Sequence, residues 1–570
     1  MTSMVEHVNP QSLQLGSFED AFQARLKHLG EQQFQRRLWA KDAGLWSSDP
    51  RVQDQIRNAL GWLAVPELMQ ERLDLLQGFS KEVRDAGLRH VVHIGMGGSS
   101  LAPYAFQHIF GEGEAGLPLT VLDTTVPGTI FKLQETLPLE DSLFVVASKS
   151  GKTAETLALG DYFLHVLSSL KGTRAAENFA VITDPETSLA ELARETGYRR
   201  VFLNYADIGG RYSALSFFGL VPATLMGLDV EELLRRALRM RRACDADVPP
   251  GENPGIMLGA AMGELARQGR DKVTFLVDPR IETFSMWLEQ LLAESTGKEG
   301  AGLVPVAGEA LGAPEVYGQD RQFVVIQLRD RPLAGDTAIA SLQEAGHPLF
   351  VITLEDLLDV GQEFLRWEIA TAVAGAILKI NPFNQPNVQE SKDNTDRLLS
   401  RLEKGTEFPK EEVLCEVEGL TFFGEGGKAS PKKALVAFFS HAKSGAYFAI
   451  MAYLEELPET EKLLQEMRLL VRDRLRIATT VGYGPRFLHS TGQLHKGGPP
   501  IGLFLQLTAD DVIDLEIPNV TYTFGIMKQA EARGDLQSLQ RRGLQFLHVH
   551  LHGDVQEGLR TLQRHLQEVL

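Results

Sequence analysis

Hydrophobic and polar positions follow two different periods in this chain, and the period changes near residue 88. Before it, in "FEDAFQARLKHL" and "DQIRNALGWL", apolar residues recur three and four apart with charges on the other faces, which predicts helices over 16–80. After it, short apolar runs alternate with helical stretches: "LRHVVHI", "LPLTVLD", "SLFVVAS", "NFAVITD" and "RRVFLN". Five buried strands interleaved with helices predict a parallel, doubly wound α/β sheet. The proline- and glycine-rich "DADVPPGENPG", 245–255, reads as a linker, and a second alternation follows it in "KVTFLVD", "LVPVA", "QFVVIQL" and "PLFVITL". Strand-like runs return late, as "PIGLFLQL" and "LQFLHVHLHG". Before these late runs, 395–475 shows no clear period, and "GEGGKASPKK" reads as a loop within an insertion. The expected division is a helical segment 1–80, a first α/β domain 81–250, and a second domain 251–570 interrupted around 395–475.

Composition narrows the class. The chain has 570 residues, 44% of them hydrophobic and 23% charged, enough for more than one globular core. No apolar run approaches a membrane span, and "MTSMVEHVNPQSLQ" lacks the pattern of a secretory signal, so the cytoplasm is the expected compartment. Cys244 and Cys415 are too few for a disulfide framework or a thiolate metal site. A net charge of −18 argues against a nucleic-acid binder. Cations that meet a small anionic ligand must therefore be gathered locally.

The loops after the predicted strands collect the glycines and hydroxyls: "GMGGSS", "DTTVPG", "KSGKT", "DPET" and "YADIGGRYS". Ligands of open α/β sheets bind beyond these strand ends. "GMGGSS" fails the dinucleotide fingerprint because Ser100 stands where the third glycine should be, and "SKSGKT" fails the P-loop spacing. A single phosphate fits better, held by backbone N–H groups and by Ser148, Ser150 and Thr153, with Lys149 and Lys152 nearby. The competing reading of each serine or threonine is a helix N-cap.

The motifs "HIGMGGSSLAP", "SKSGKTAET", "GGRYSALS", "AESTGK" and "NPFNQPNVQESK" occur in one order over some three hundred residues. Together they resemble the glucose-6-phosphate isomerase family, and "ATTVGYGPRFLHSTGQLHKGG" resembles the form found as the isomerase half of transaldolase–isomerase fusions. The resemblance implies two sugar-isomerase (SIS) domains of flavodoxin-like, doubly wound build. It also implies glucose 6-phosphate and fructose 6-phosphate as the interconverted pair, no cofactor, no metal, a homodimer and a functional link to a transaldolase. The implied phosphate contacts are Gly98, Ser99, Ser148, Lys149, Ser150 and Thr153.

Aldose–ketose isomerisation needs a carboxylate base, a cation near the developing oxyanion and an acid–base group to open the ring. In "FSMWLEQLLAESTGKEG", Phe284, Trp287, Leu288, Leu291 and Leu292 form one helical stripe. Glu294 falls at its edge and is the expected base, whereas Glu289 points away; the alternative for Glu294 is pairing with Lys298. Arg211, after two glycines, is the expected oxyanion partner. The resemblance places Lys392 by the ring oxygen and Gln385, seven residues earlier, near the phosphate. It assigns ring opening to His489, with His495 second, and the family's histidine comes from the neighbouring subunit. Two other readings compete. "FLHVHLHG" sets His548, His550 and His552 on one face of a strand, a candidate metal site against the plainer reading of a half-exposed edge strand. A sugar-phosphate sensor without catalysis would need the phosphate loop and none of Arg211, Glu294, Lys392 and His489.

Overall fold

A computed structural model describes residues 8–570 except 112, 114, 115, 334 and 336. Half of "MTSMVEHVNPQSLQ", residues 1–7, lies outside the described residues. β1 (Gln11–Gln14) opens the described chain and is followed by the expected helices, from Glu19–Glu31 to Leu73–Asp85. The first sheet holds β2 (His90–Gly95), β3 (Leu119–Leu122), β4 (Ser142–Ala147), β5 (Phe179–Thr183) and β6 (Arg200–Leu203). All are parallel, in the order β3-β2-β4-β5-β6. That order is the flavodoxin-like one, and its reversal point lies between β2 and β4. The loops "GMGGSS" and "KSGKT" leave those two strands, so both flank the crevice where such sheets take ligands.

A second sheet contains β7 (Lys272–Val277), β8 (Val304–Val306), β9 (Arg321–Leu328) and β10 (Leu349–Leu354), all parallel. β1 adds antiparallel to β10, which places a strand within the segment read as helical. Val91, Val145 and Ala180 of the first sheet share one hydrophobic core with Val273, Val324 and Phe350 of the second.

The strands after residue 395 join neither sheet. β11 (Val413–Val417), β12 (Leu420–Phe423), β13 (Tyr447–Tyr453), β14 (Ala478–Tyr483), β15 (Gly502–Ala509) and β16 (Gln545–Leu551) build a third sheet, in the order β11-β12-β16-β15-β13-β14. β14, β13, β15 and β16 are parallel, and the hairpin β11-β12 caps one side. The unperiodic stretch thus belongs to a sheet together with the late strands. β16 lies inside that sheet, between β12 and β15, so the edge-strand reading of its histidines is corrected. The third unit is docked firmly on the others. Phe524 and Met527, on the helix Phe524–Arg541, pack with Val92 and Ile94 of β2, and Ala293 and Val304 pack with Tyr447 and Phe504.

Candidate functional site

The turn after β2 is held between two distant parts of the chain. Gly98 lies against the Gly210–Arg211 backbone so closely that a Cβ there would fall 2.2 Å from the Gly210 carbonyl carbon. Gly97 has φ +55°, and a Cβ on it would meet the His489 carbonyl oxygen at 2.6 Å. Side chains at either position would push the loops apart, which is the physical reason for two glycines. Ser99 is buried, and its carbonyl is 2.7 Å from His93 Nε2. Ser100 stands at the start of the helix Leu101–Phe110 without capping it; its hydroxyl turns to Gly97 O at 3.2 Å.

In the loop after β4, Ser148 is buried and its hydroxyl lies 2.9 Å from Thr153 Oγ1. Thr153 occupies the N-cap position of the helix Ala154–Lys171, yet its side chain makes no capping bond. The N-cap explanation therefore fails for Ser100 and Thr153. Ser150 is exposed, and its oxygen accepts the Lys152 N–H at 3.3 Å. Lys149 is turned away from the loop: its ammonium meets the Asp184 carboxylate and donates to Ala206 O at 3.0 Å.

Glu294 is buried on the helix Phe284–Thr296, whose apolar stripe is buried as expected. Its Oε1 lies 3.3 Å from Arg211 Nη1. Arg211 is 2% exposed, and its remaining N–H groups are all directed. Nε donates to Ser295 Oγ at 2.7 Å, Nη1 to Gln385 Oε1 at 3.1 Å, and Nη2 to the carbonyls of Pro382 and Asn384. A guanidinium fixed in this way is a rigid charge beside the Glu294 carboxylate. Gln385 is thus placed beside Arg211. Lys298 donates to Asn381 O and to Asn384, so the alternative pairing with Glu294 is not formed. Burial, aided by Arg211, lowers the Lys298 ammonium well below the usual lysine range.

His489 ends a short turn, Arg486–His489, that follows β14. Its Nε2 lies 2.7 Å from Glu155 Oε1, in the first turn of the helix Ala154–Lys171. Burial alone would raise the Glu155 carboxyl, but His489 and then Lys392 outweigh it and hold it down at about 2. Lys392, on the helix Pro386–Glu403, is half-buried and acts on this carboxylate through space. A single amide ties the groups together: Gln290 Nε2 donates to Glu294 Oε2 at 3.1 Å and to His489 O at 2.8 Å. Carboxylate, guanidinium, imidazole and glycine turn thus meet in one chain. The expectation of a homodimer rests on a histidine that crosses between subunits, and here His489 meets these groups from its own chain.

Two residues escape the sequence reading. Glu155 looks like an ordinary first-turn acid favoured by the helix dipole, and Gln290 like any polar residue on a helix. His495 does not suit a second acid–base group. It packs among Tyr447, Phe487 and Phe504, burial pushes its imidazole down to about 3, and neither ring nitrogen has a partner among the described residues.

Glu289 does point away from Glu294, into a cavity of about 480 Å³ lined also by Tyr104, Arg468 and Tyr483. Burial pushes its carboxyl up to about 8, with Arg468 opposing. The folded chain therefore keeps a proton that the unfolded chain has already released near neutrality. The stability this gives is complete below the ordinary carboxyl range and is lost as pH rises through about 8. Glu289→Gln is expected to stabilise the fold by roughly 3 kcal/mol at pH 9 and by less than about 1 kcal/mol at pH 4. Denaturant melts at the two pH values measure this; an equal effect at both would contradict the burial of that carboxyl.

Among the described residues, no helix is long and apolar enough to cross a membrane. Residues 65–319 match the family described as phosphoglucose isomerase. The glucose-6-phosphate isomerase of Rubrobacter xylanophilus is 29% identical over 391 residues, covering 60% of this chain and 89% of that protein. One from Thermus thermophilus is 29% identical over 387 residues, covering 60% and 90%. Among solved structures, a hypothetical protein from Thermus thermophilus aligns with a TM-score of 0.58 at 26% identity, over 69% of this chain and 100% of that one. A glucose-6-phosphate isomerase from Chlamydia trachomatis aligns with a TM-score of 0.53 at 20% identity, over 68% and 86%, a likeness of fold.

Proposed function

We propose that this chain, a member of the phosphoglucose isomerase family, is an aldose–ketose isomerase interconverting glucose 6-phosphate and fructose 6-phosphate. The observation that carries the assignment of roles is the Gln290 amide, which joins Glu294 to the His489 turn. The phosphoryl group sits at the start of the helix Ala154–Lys171, beside the backbone N–H groups of its first turn and the hydroxyls of Ser148, Ser150 and Thr153. Those of Ser148 and Thr153, bonded to each other at 2.9 Å, turn to the dianion when it arrives. Gly98 and Ser99 close the other side of the crevice.

His489 protonates the ring oxygen and takes up the proton of the C1 hydroxyl, and the Glu155 carboxylate steadies its charged form. Lys392 approaches from the same side. In the open chain, Glu294 removes the proton from C2 and returns it to C1, while Arg211, anchored in part through Gln385, offsets the negative charge of the enediolate. On this reading a second copy of the chain is not needed to complete the site, and a transaldolase contributes no group to it.

The test is solvent exchange. In deuterium oxide the protein should incorporate deuterium into fructose 6-phosphate at carbon, and should still do so after treatment with a chelator; tight sugar-phosphate binding without exchange would favour a sensor. Ser148→Ala combined with Thr153→Ala should raise KM about tenfold or more with a smaller loss of kcat. Unchanged KM would remove the phosphate from this loop.

A further inference from the structure

β15 and β16 run parallel with Thr508 and His550 in register, and the chain leaving β15 brings Asp510 beside the end of β16. Asp510 Oδ1 lies 3.0 Å from His550 Nε2, and Oδ2 lies 3.2 Å from His552 Nδ1. Donor atoms of all three residues lie within 4.8 Å of one another. The outer nitrogen of each ring is already engaged: His550 Nδ1 lies 2.8 Å from Thr508 Oγ1, and His552 Nε2 lies 2.9 Å from Thr421 Oγ1. We infer that Asp510, His550 and His552 bind one divalent transition-metal ion of zinc's class at the carboxyl-end edge of the third sheet.

The far side of the cluster is fixed by a further set of contacts. Glu411 accepts from His548 Nδ1 at 2.7 Å. His548 Nε2 in turn lies 2.8 Å from Thr508 Oγ1, so the hydroxyl beside His550 is itself held in place from the other side. Hydroxyl or carbonyl partners on the far nitrogen are what orient ligating imidazoles.

Two imidazole nitrogens and one carboxylate oxygen suit zinc and leave a fourth position for water. The side chains of Asp510 and His552 are 59% and 50% exposed, so an ion reaches them from solvent. None of the three belongs to the site around Glu294 and His489, and isomerisation should not depend on the ion.

The full-length protein, stripped with a chelator and dialysed against zinc chloride, should carry one zinc per chain by elemental analysis. With cobalt(II) instead it should show the visible absorption of a four-coordinate site. His552→Ala and, separately, Asp510→Asn should lose this zinc while keeping the isomerase activity of the wild type. Thr508→Val, which keeps every ligand and removes the orienting hydroxyl, should weaken zinc binding about 10- to 100-fold. A wild type that takes up no zinc would overturn the inference, and so would a folded His552→Ala or Asp510→Asn that binds it as tightly.

Discussion

Glu294→Gln should lower kcat by about 10³- to 10⁴-fold while changing KM by less than about threefold. The substituted amide fits the same space and can still lie beside Arg211 and Gln290, so the fold and the phosphate loop have little reason to change. It cannot carry a proton between C2 and C1. Exchange of solvent deuterium into fructose 6-phosphate should fall in parallel with kcat. A variant that lost binding but kept exchange would assign Glu294 to substrate positioning instead.

The second large effect is expected at His489. His489→Gln should lose about 10²- to 10³-fold in kcat/KM on the ring-closed sugar phosphate. On a tetrose phosphate, too short to close a six-membered ring, the loss should be much smaller, because ring opening is then not required. Glu155→Gln should follow His489→Gln in direction, since that carboxylate lies 2.7 Å from His489 Nε2 and holds the ring in place. Equal losses on open and closed substrates would move His489 from ring opening to another step.

The strands β2 to β10 are legible as short apolar runs because most are buried along their length and bounded by turn residues, the less buried β3 and β6 lying at the first sheet's two edges. Of the third sheet, β15 and β16 show as strand-like runs but β11 to β14 do not, for local reasons. β13, "YFAIMAY", is a continuous apolar run in which strand and helix periods cannot be told apart. β11 mixes exposed and buried positions in a five-residue strand. At the site, Glu294 can be read from its place beside a helical stripe, and the serine loops from their strand ends. Arg211 can be named but its setting cannot, since it is held largely by backbone carbonyls some 170 positions away. His489 and Glu155 are 334 positions apart, and no local pattern links them. Only the resemblance points to that histidine, and nothing in it points to the glutamate that receives it.

One chain, on this account, supplies the base from the helix after β7, the phosphate loop from the first sheet, and the imidazole from the turn after β14 of the third. Mixing Glu294→Gln with His489→Gln after joint unfolding and refolding tests this most directly. The account predicts that the mixture shows only the summed residual activity of the two variants, at every protein concentration. Recovery toward about a quarter of wild-type activity, the share expected when paired subunits exchange a catalytic element, would contradict it.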